Sequence, residues 1–479
     1  MPDNGSRRAG ASVVGAMARL GRAGGRALTD TIGGAERTRI VVLLASVLAL
    51  SSADASTVGA SASHLRSSLH ITNTDIGLLV SVTSLVAAAA SLPFGVLADR
   101  VRRTWLLGAA IVLWGVAMIW SATVPSFGQL LVARLFLGGV TAVAGPVVAS
   151  LVGDYFHASE RGRIYGFILA GELLGAGVGF GVTGDIAALS WRAAFVILAL
   201  PAFVLAWFIV HLPEPARGGV AEEAGAAEPT DAQRLASERG LEPDPELVLT
   251  QDPRRMGLLA ATRYILRVRT NIVLIAASAC GYYFLAGVQT FGIEFVTHQY
   301  RIDQALANLL LLVVGVGAIV GVLAGGTIGD FLLRRGYLNA RILVSAIAAT
   351  ACVVLFIPAL VTRSAFTALP YIVLAAFALS AQNPPLDAAR LDVMVPRLWG
   401  RAEGVRTFLR TLAMALAPLL FGAVSDYVFG GGRAGLQRTF LVMLIPLSGS
   451  AFFLFRGLRT YPRDVATAAA STKADLTRA

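Results

Sequence analysis

The chain has 479 residues, of which 56% are apolar and only 14% are charged, and its mean hydropathy is +0.70. Soluble domains usually contain about 45–50% apolar and about 25% charged residues. This chain therefore has too few charges to cover a globule of its size, which excludes an ordinary soluble enzyme and a disordered chain. The net charge of +11 indicates no nucleic-acid partner, because the basic residues are concentrated in alternate segments between the predicted spans described below.

Two residue types exclude further classes. Lys473 is the one Lys among 40 basic residues, whereas a nucleotide-binding P-loop needs a Lys directly after a glycine-rich turn. If the protein moves a solute against its concentration gradient, the energy must therefore come from another gradient or from a separate subunit. Cys280 and Cys352 lie in apolar runs, and the five His show no metal-ligand spacing. We expect no disulfide, no metal, no cofactor and no enzyme active site.

The N-terminal residues 1–38 are rich in Arg, Gly and Ser, with no continuous apolar run before Ile40. A signal peptide would place its apolar region closer to the start. We expect this segment to be a basic cytoplasmic tail.

Twelve later segments are long and apolar enough for helices that cross a membrane, since a hydrocarbon core about 30 Å thick needs about 20 such residues. The predicted spans are 40–62, 74–97, 104–124, 128–152, 162–184, 192–212, 271–296, 305–329, 340–361, 368–389, 402–424 and 438–458. They predict an N-terminal six-helix bundle over 39–212, a cytoplasmic linker over 213–270, a C-terminal six-helix bundle over 271–460 and a cytoplasmic tail over 461–479.

The basic residues alternate with these spans. If both termini are cytoplasmic, most of the 40 basic residues fall in cytoplasmic segments. Six lie in or beside external loops, namely Arg66, Arg192, Arg301, Arg363, Arg433 and Arg438. Cytoplasmic loops of membrane proteins carry such an excess of positive charge. The pattern predicts the orientation and the even number of spans.

The linker has two parts. Residues 213–253 are rich in Pro, Gly, Ala and acidic residues, which is typical of a flexible connection. From Arg254 to Arg269, Leu258, Ala261 and Ile265 share one face, which predicts an amphipathic helix on the inner leaflet. An ordinary basic lead-in to the seventh span is the alternative.

The two halves repeat each other in three places. The matching segments are Gly95–Arg100 with Gly326–Asp330, Gly162–Gly166 with Gly400–Gly404, and Gly181-x-x-x-Asp185 with Gly422-x-x-x-Asp426. Three landmarks in one order indicate a six-span unit used twice in the same orientation. Secondary transporters whose halves rock about a central site are built in this way.

Glycines recur every four residues in the fifth and eighth spans, at Gly171, Gly175 and Gly179 and from Gly317 to Gly329. Small residues at this spacing let helices approach backbone to backbone. The spacing predicts close helix packing. The fold implied by the resemblance described below would bring these two glycine faces together across the interface between the halves, where they would also allow the helices to slide.

Asp54 and Arg134 place opposite charges inside the first and fourth spans. A charge at the centre of a membrane helix costs about 2.5–3.5 kcal/mol, so it needs a partner, a wet cavity or a function. Asp54 lies about 21 Å along its helix and Arg134 about 9 Å from the outer edge of its own, which gives both nearly the same depth. We predict a pair that couples proton binding to transport; a permanent ion pair that orients the helices is the alternative.

Three more charges fall inside predicted spans. Glu172 lies about 15 Å into the fifth span, near the midplane, where it is a candidate proton carrier or a carboxyl hydrogen-bonded to a neighbouring Ser or Thr. Arg406 and Arg410 are one turn apart in the eleventh span and could bind an anionic headgroup or phosphate, although Arg406 could equally snorkel to the interface. Glu294, near the outer boundary, is expected to be solvated.

The loop Gly95-x-x-x-Asp99-Arg100 with Arg102-Arg103, and Arg134-x-x-x-Gly138, resemble the signature motifs of the major facilitator superfamily. The resemblance covers about residues 39–460. It implies an all-α membrane protein with twelve transmembrane helices in two six-helix repeats and both termini cytoplasmic. It also implies that the first and fourth spans line a central cavity.

A finer resemblance rests on Ala53-Asp54, on the run from Glu172 to Phe180, and on Asn383-Pro-Pro-Leu-Asp387 with Val395-Pro396-Arg397. These segments are similar to the Spinster branch, whose members move lysolipids or related amphiphiles. That branch usually has Glu seven residues after the fourth-span Arg, where this chain has Thr141. The resemblance to the Spinster branch implies an amphiphilic substrate. The candidate binding residues are Arg134, Arg410, Asp54, Thr141 and Glu172.

The resemblance also implies cytoplasmic latches. In the superfamily, an Asp at the position of Asp99 or Asp330 caps a helix of the opposite half, where the helix dipole favours an anion. The alternative is an Asp exposed to solvent in a basic cluster. The candidate gate residues are Asp99, Arg100, Arg103, Asp330, Arg334, Arg163, Arg401 and Arg406.

Taken together, these features predict a proton-coupled secondary transporter of the bacterial inner membrane that works by alternating access. The expected partners are the lipid bilayer, protons and a lysophospholipid or similar amphiphile, and a monomer is expected. A drug or metabolite efflux antiporter is the nearest alternative. A passive channel or an intramembrane enzyme is more remote, because the sequence shows no nucleophile–base or metal constellation.

Overall fold

The computed structural model describes residue 29 and residues 32–98, 101–156, 158–215, 229–249, 256–395 and 398–476. These residues form α-helices joined by turns, and strands are absent among them. The helices of the N-terminal half are α1 (Ala35–Ala60), α2 (Ala62–Leu69), α3 (Asn73–Ala98), α4 (Arg103–Thr123), α5 (Phe127–Thr141), α6 (Ala144–Tyr155), α7 (Ala158–Leu189) and α8 (Trp191–Val210). The linker contains α9 (Asp231–Glu238) and α10 (Leu258–Ile265).

The C-terminal half has the same order of long helices. It comprises α11 (Arg269–Tyr300), α12 (Gln304–Arg334), α13 (Ala340–Val361), α14 (Ala365–Ala381), α15 (Asn383–Asp392), α16 (Trp399–Ala423), α17 (Gly432–Val442) and α18 (Leu444–Leu476). A π-helical turn, Val424–Val428, extends α16. We use "cytoplasmic end" for the end of the bundle that holds the α12–α13 turn, and "outer end" for the end that holds the α11–α12 turn, following the orientation predicted from charge.

Twelve candidate membrane spans arise from these helices within the described ranges, which confirms the number predicted from hydropathy. The fourth span is divided into α5 and α6 at Ala142–Val143, and the tenth into α14 and α15 at Gln382. These two breaks fall in corresponding spans of the two repeats, and the twelfth span is also divided, at Met443, into α17 and α18. Because a break leaves backbone groups without helical partners, it needs compensation, and the hydroxyl of Ser345 donates to the Gln382 carbonyl at 2.8 Å.

The glycine face of α7 packs against α1 of its own half. A Cβ added to Gly175 would lie 2.1 Å from the carbonyl oxygen of Ala49, and one added to Gly179 would lie 2.4 Å from that of Ala53. A side chain therefore does not fit at either position without a backbone shift. The prediction that this face meets the eighth span across the halves was wrong, although α7 and α12 do contact each other elsewhere.

The eighth span uses its glycines in the same way. A Cβ on Gly321 would lie 2.2 Å from the carbonyl oxygen of Phe377, and one on Gly325 would lie 2.0 Å from that of Ala381, both in the tenth span. The glycine repeats therefore join helices within each half. Between the halves, α3 packs along α16, α7 along α12 and α1 along α11.

Part of the linker is packed against the C-terminal half. Thr230 and Gln233 form a capping box that starts α9. The buried Gln233 amide donates to the carbonyls of Asp392 at 3.0 Å and Met394 at 3.4 Å. Residues 229–249 thus differ from the flexible connection that their composition indicates, because these contacts supply a binding surface that composition does not reveal.

The short helix α10 also turns its apolar face toward protein. Ala261 and Ile265 are fully buried, and α10 packs against α16. The amphipathic pattern was therefore detected correctly, but its apolar face is covered by the C-terminal half rather than by the inner leaflet.

A pair of glycine substitutions on α7 tests the packing of α7 on α1. Ala favours helix over Gly by about 1 kcal/mol, so Gly181→Ala, which would meet nothing within 4 Å, should leave the melting temperature unchanged or raise it. Gly175→Ala should lower it, because the methyl group would collide with the Ala49 backbone. Thermal unfolding of the purified protein in detergent measures both, and equal melting temperatures would contradict the assignment.

Candidate functional site

Asp54 and Arg134 form a buried ion pair inside the N-terminal half. Nη1 of Arg134 donates to Oδ1 of Asp54 at 2.8 Å, and the two side chains are 2% and 6% exposed. The guanidinium also lies over the ring of Phe195, 4.7 Å from its centroid. The predicted contact is therefore present, and it is buried.

One nitrogen of this pair lacks a hydrogen bond. Nη2 of Arg134 is buried and has no hydrogen-bond partner among the described residues. A buried donor without an acceptor is costly, so this nitrogen is a place where water or a substrate acceptor would be stabilised.

Thr141 lies at the last turn of α5, directly before the break in the fourth span. Its hydroxyl donates to the Gly138 carbonyl at 3.0 Å. With Trp114 and Leu107 it lines a small apolar pocket of about 30 Å³ between helices of the N-terminal half. That volume is far too small for an amphiphile, and a local role in the helix break fits this geometry.

The C-terminal half contains a cluster of charged residues, which we call the central cluster. It consists of Asp387, Arg390, Glu403, Arg406 and Arg410. Arg406 contacts Asp387 and lies 3.1 Å from Glu403, and Arg390 forms a second ion pair with Glu403. Three arginines thus share two carboxylates, which leaves a net positive charge.

Arg410 carries this excess charge. Its guanidinium lies over the ring of Tyr282 at 4.4 Å, and no carboxylate in the described parts of the chain lies within 4.0 Å of it. Glu172, an exposed residue of α7 in the opposite half, acts electrostatically on both Arg410 and Tyr282. The midplane charges predicted on the fifth and eleventh spans are therefore close enough to interact electrostatically across the two halves.

Two predicted cytoplasmic gate residues of the C-terminal half, Asp330 and Arg401, have partners among the described residues. Asp330 lies 2.8 Å from Arg341, which also binds the fully buried Asp392 at 2.6 Å. Asp330 therefore does not cap the fifth span in this state. Arg401 donates to the carbonyl of Met256 at 2.8 Å, and Arg334 is exposed at the end of α12.

Arg103 is buried among groups of the N-terminal half. It forms ion pairs with Asp154 and Glu214. Glu214 also accepts the N–H groups of Arg103 and Thr104 and so caps α4. Burial opposes ionisation of Glu214, but these hydrogen bonds outweigh it and hold the pKa of Glu214 below its ordinary value. Asp99, Arg100 and the side chain of Arg163 lie outside the described residues.

The outer end holds the two halves together. Oδ2 of Asp426, in the π-helical turn after α16, accepts the N–H and the hydroxyl of Thr74, both at 2.7 Å. Thr74 is in the first turn of α3, where helix N–H groups lack intrahelical partners and favour an anion. Asp426 therefore caps a helix of the opposite half.

The second repeat-related Asp makes the corresponding contact. Oδ1 of Asp185, near the end of α7, accepts from the Asn308 amide of α12 at 2.7 Å. Nearby, Gln304 donates to the carbonyls of Ala60 at 2.9 Å and Gly184 at 3.1 Å. The two repeats therefore close the outer end by related means.

An ion pair completes this closure. Arg66 lies 2.6 Å from Glu294, which is 5% exposed. The expectation that Glu294 is solvated was wrong, because α2 folds over the end of α11 and covers it. Where described residues of the two halves form hydrogen bonds or ion pairs with each other, they do so toward the outer end, and the deepest is Leu419 N–H to Ser81 at 3.1 Å.

Sequence reasoning missed several of these residues. Asp185 and Asp426 had been noticed as repeat landmarks, and their duplication was the signal that could have assigned them a common role. Asp387 and Arg390 lie one turn apart in α15, the second part of the divided tenth span, but their membership of the central cluster depends on tertiary packing. Tyr282 is one of several aromatic residues in apolar helices and carries no distinguishing signal.

Two six-helix repeats of membrane-spanning length, with facing charges between them and a closed outer end, define the fold of a polytopic membrane transporter. Residues 42–418 match the Major Facilitator Superfamily. The chain belongs to this superfamily, whose members related to it are transporters rather than enzymes.

Solved structures and sequence relatives agree with this assignment. The fold is similar, at a TM-score of 0.72 and 17% identity, to a bacterial homologue of the human lysosomal transporter Spinster in an inward-facing, unoccupied conformation; the match covers 90% of this chain and 98% of that one. The hexuronate transporter of Bacillus subtilis (strain 168) is 22% identical over 78% of this chain and 84% of its own length. The probable L-galactonate transporter of Escherichia coli (strain K12) is 28% identical over 36% of this chain, a match that spans 39% of that relative's length.

Loss of the Asp426 cap should open the outer end. The variant Thr290→Cys reports this opening in a chain whose own cysteines are replaced by Cys280→Ser and Cys352→Ala. Thr290 is 3% exposed and lies against Gly59 of the opposite half. Loss of hydrogen bonds to a charged group costs about 1.5–3 kcal/mol, so Asp426→Ala should raise labelling by an impermeant maleimide, added outside, at least tenfold.

Asp75→Ala is the matched control, because Asp75 binds the Thr72 N–H and hydroxyl within its own half. Labelling that rises equally in this control would show that Asp426 does not hold the halves together.

Proposed function

We propose that this protein is a proton-coupled secondary transporter of the bacterial inner membrane, that it works by alternating access, and that it moves an anionic amphiphile such as a lysophospholipid. The observation that carries the proposal is Arg410, a cation between the halves with an aromatic partner and no ion-pair partner among the described residues, opposite Glu172.

The central cluster suits a phosphate or carboxylate headgroup. Arg390 and Arg406 already have carboxylate partners, so Arg410 supplies the charge that a substrate anion would neutralise. A guanidinium can bind phosphate through two parallel hydrogen bonds. Its position over Tyr282 leaves the edge of the guanidinium plane available for such contacts.

Proton coupling is assigned to Glu172 and to the Asp54–Arg134 pair. When Glu172 is ionised it competes with a substrate anion for Arg410, and protonation removes that competition. Protonation of Asp54 would release Arg134, whose Nη2 already lacks an acceptor among the described residues. Each carboxyl thus links the binding of a proton to the electrostatics of a neighbouring guanidinium.

The inward-open state would be closed at the outer end, and the outward-open state would be closed at the cytoplasmic end. The contacts of Asp426 and Asp185 hold the outer end shut in the present state. We assign Asp99, Arg100, Arg103, Asp330, Arg334, Arg163, Arg401 and Arg406 to closure of the cytoplasmic end in the opposite state. In that state Asp330 would exchange Arg341 for the start of the fifth span.

A second candidate is transport of a small anionic metabolite, since the two sequence relatives described above are named for a hexuronate and for L-galactonate. Both sugar acids carry a carboxylate that would also bind Arg410. The presence or absence of an acyl chain on the substrate distinguishes the two functions. Proton-driven drug efflux is a further variant of this alternative.

Flux into liposomes distinguishes these substrates. We expect the reconstituted protein to move a fluorescent lysophospholipid across the bilayer, faster with a pH gradient than without one. Arg410→Gln should lower the rate at least tenfold, Arg410→Lys should retain part of it, and Arg459→Gln should leave it unchanged, because Arg459 is exposed on α18. Flux of galactonate or glucuronate without lysophospholipid flux would favour the second candidate.

The coupling role of the buried pair is tested by neutral substitutions. Asp54→Asn leaves Arg134 as an unpaired buried cation, which costs about 3–5 kcal/mol, whereas the double variant Asp54→Asn/Arg134→Gln removes both charges. If the pair couples protons to transport, the double variant folds and equilibrates substrate but no longer concentrates it against a gradient. A double variant that still concentrates substrate would show that the pair only orients the helices.

Glu172→Gln, which removes an exposed carboxyl, should likewise abolish the effect of the pH gradient while downhill flux persists. A pH dependence identical to that of the unmodified protein would exclude Glu172 from coupling.

A further inference from the structure

A groove of about 790 Å³ lies at the cytoplasmic end of the C-terminal half, away from the central cluster. Its walls come from the end of α12, the turn over residues 335–339, the start of α13, the linker after α9, and Pro462 of α18. None of the residues of the central cluster lines it.

The polar part of the groove is basic. Arg239 of the linker donates to the carbonyl of Gly336, and Arg335 lies over the ring of Phe331 at 4.3 Å. Gly336 has φ of 92°, a conformation that favours glycine and that turns the chain sharply after α12. The lining residues include these two arginines and no acidic side chain.

The groove continues into an apolar surface along the spans. Leu343 is 38% exposed and Ile347, one helical turn further along α13, is 57% exposed. On α12, Phe331 and Ile328 are 50% and 47% exposed. Tyr337, 64% exposed at the mouth of the groove, is the kind of residue that membrane proteins place at the headgroup level.

We propose that this groove binds an anionic phospholipid of the cytoplasmic leaflet, with its phosphate between Arg239 and Arg335 and its acyl chains along Leu343 and Ile347. Juxtamembrane arginines attract anionic lipids of that leaflet, and a groove that combines cations with a continuous apolar surface matches both parts of such a lipid. A soluble anion would use the arginines but would gain nothing from the apolar surface.

The bound lipid acts as a clamp on the linker. Arg239 belongs to the segment that joins the two halves, whereas Arg335 belongs to the turn between α12 and α13. A phosphate held by both fastens the linker to the C-terminal half beside the contacts of Gln233. Lipid binding should therefore raise the thermal stability of the protein without any change at Arg410.

The test uses the full chain in detergent, with binding measured by native mass spectrometry and by the shift in melting temperature. The probes are phosphatidylglycerol, phosphatidylethanolamine and glycerol 3-phosphate. Each arginine near the membrane surface contributes about a fivefold gain in affinity for anionic lipid. Arg335→Gln and Arg239→Gln should each weaken phosphatidylglycerol binding about fivefold, while Arg459→Gln, an exposed arginine of α18 outside the groove, should not.

Four outcomes would overturn the proposal. The first is stabilisation by glycerol 3-phosphate equal to that by phosphatidylglycerol, which would indicate a soluble anion. The second is an equal loss in Arg459→Gln, which would indicate diffuse attraction. The third is loss of phosphatidylglycerol binding in Arg410→Gln with full binding in Arg335→Gln, which would place the lipid in the central cluster. The fourth is full binding in both Arg335→Gln and Arg410→Gln, which would exclude the groove even if Arg239→Gln, by losing its bond to Gly336, fails to fold.

Discussion

The cost of a charge in hydrocarbon governs the arrangement of this protein. Inside the N-terminal half that cost is met by neutralisation, because Asp54 and Arg134 lie 2.8 Å apart with almost no exposure. In the C-terminal half it is met differently, because Arg406 and Arg390 have carboxylates whereas Arg410 has an aromatic ring. The contrast separates a pair of balanced charge within one half from a cluster that keeps one cation without a carboxylate among the described residues.

A second constraint is the close approach of helix backbones. Gly175 on Ala49 and Gly321 on Phe377 leave no room even for a methyl group, so α7 packs directly on the backbone of α1, and α12 on that of α14. Helices of opposite halves come equally close at the outer end, because a Cβ added to Gly77 would lie 2.1 Å from the carbonyl oxygen of Pro418 and one added to Gly422 would lie 2.3 Å from that of Asn73. Hydrogen bonds and an ion pair accompany this packing, such as Thr74 to Asp426 and Arg66 to Glu294.

The sequence predicted what is governed by composition and local period. Twelve spans, the twofold repeat and the depth of Asp54 and Arg134 follow from the length of apolar runs and from 1.5 Å per residue. The sequence did not predict which of several possible neighbours a side chain contacts. The glycine faces were detected but assigned to the wrong partners, and Glu294 was expected in solvent because nothing local shows that α2 covers it. Helix–helix pairing in a bundle is set by the whole packing, which a short spacing cannot specify.

The polar seam at the outer end has an energetic consequence. A typical hydrogen bond contributes about 0.5–1.5 kcal/mol net, so the hydrogen bonds of this seam add only several kcal/mol to the packing of α3 on α16 and of α7 on α12. Moving one elementary charge through a membrane potential of 100 mV releases about 2.3 kcal/mol. The polar contribution of the seam to the closed outer end is therefore of the same order as the energy of one or two charges that cross the membrane. Loss of a single contact in the seam would shift the balance between an open and a closed outer end by a comparable amount.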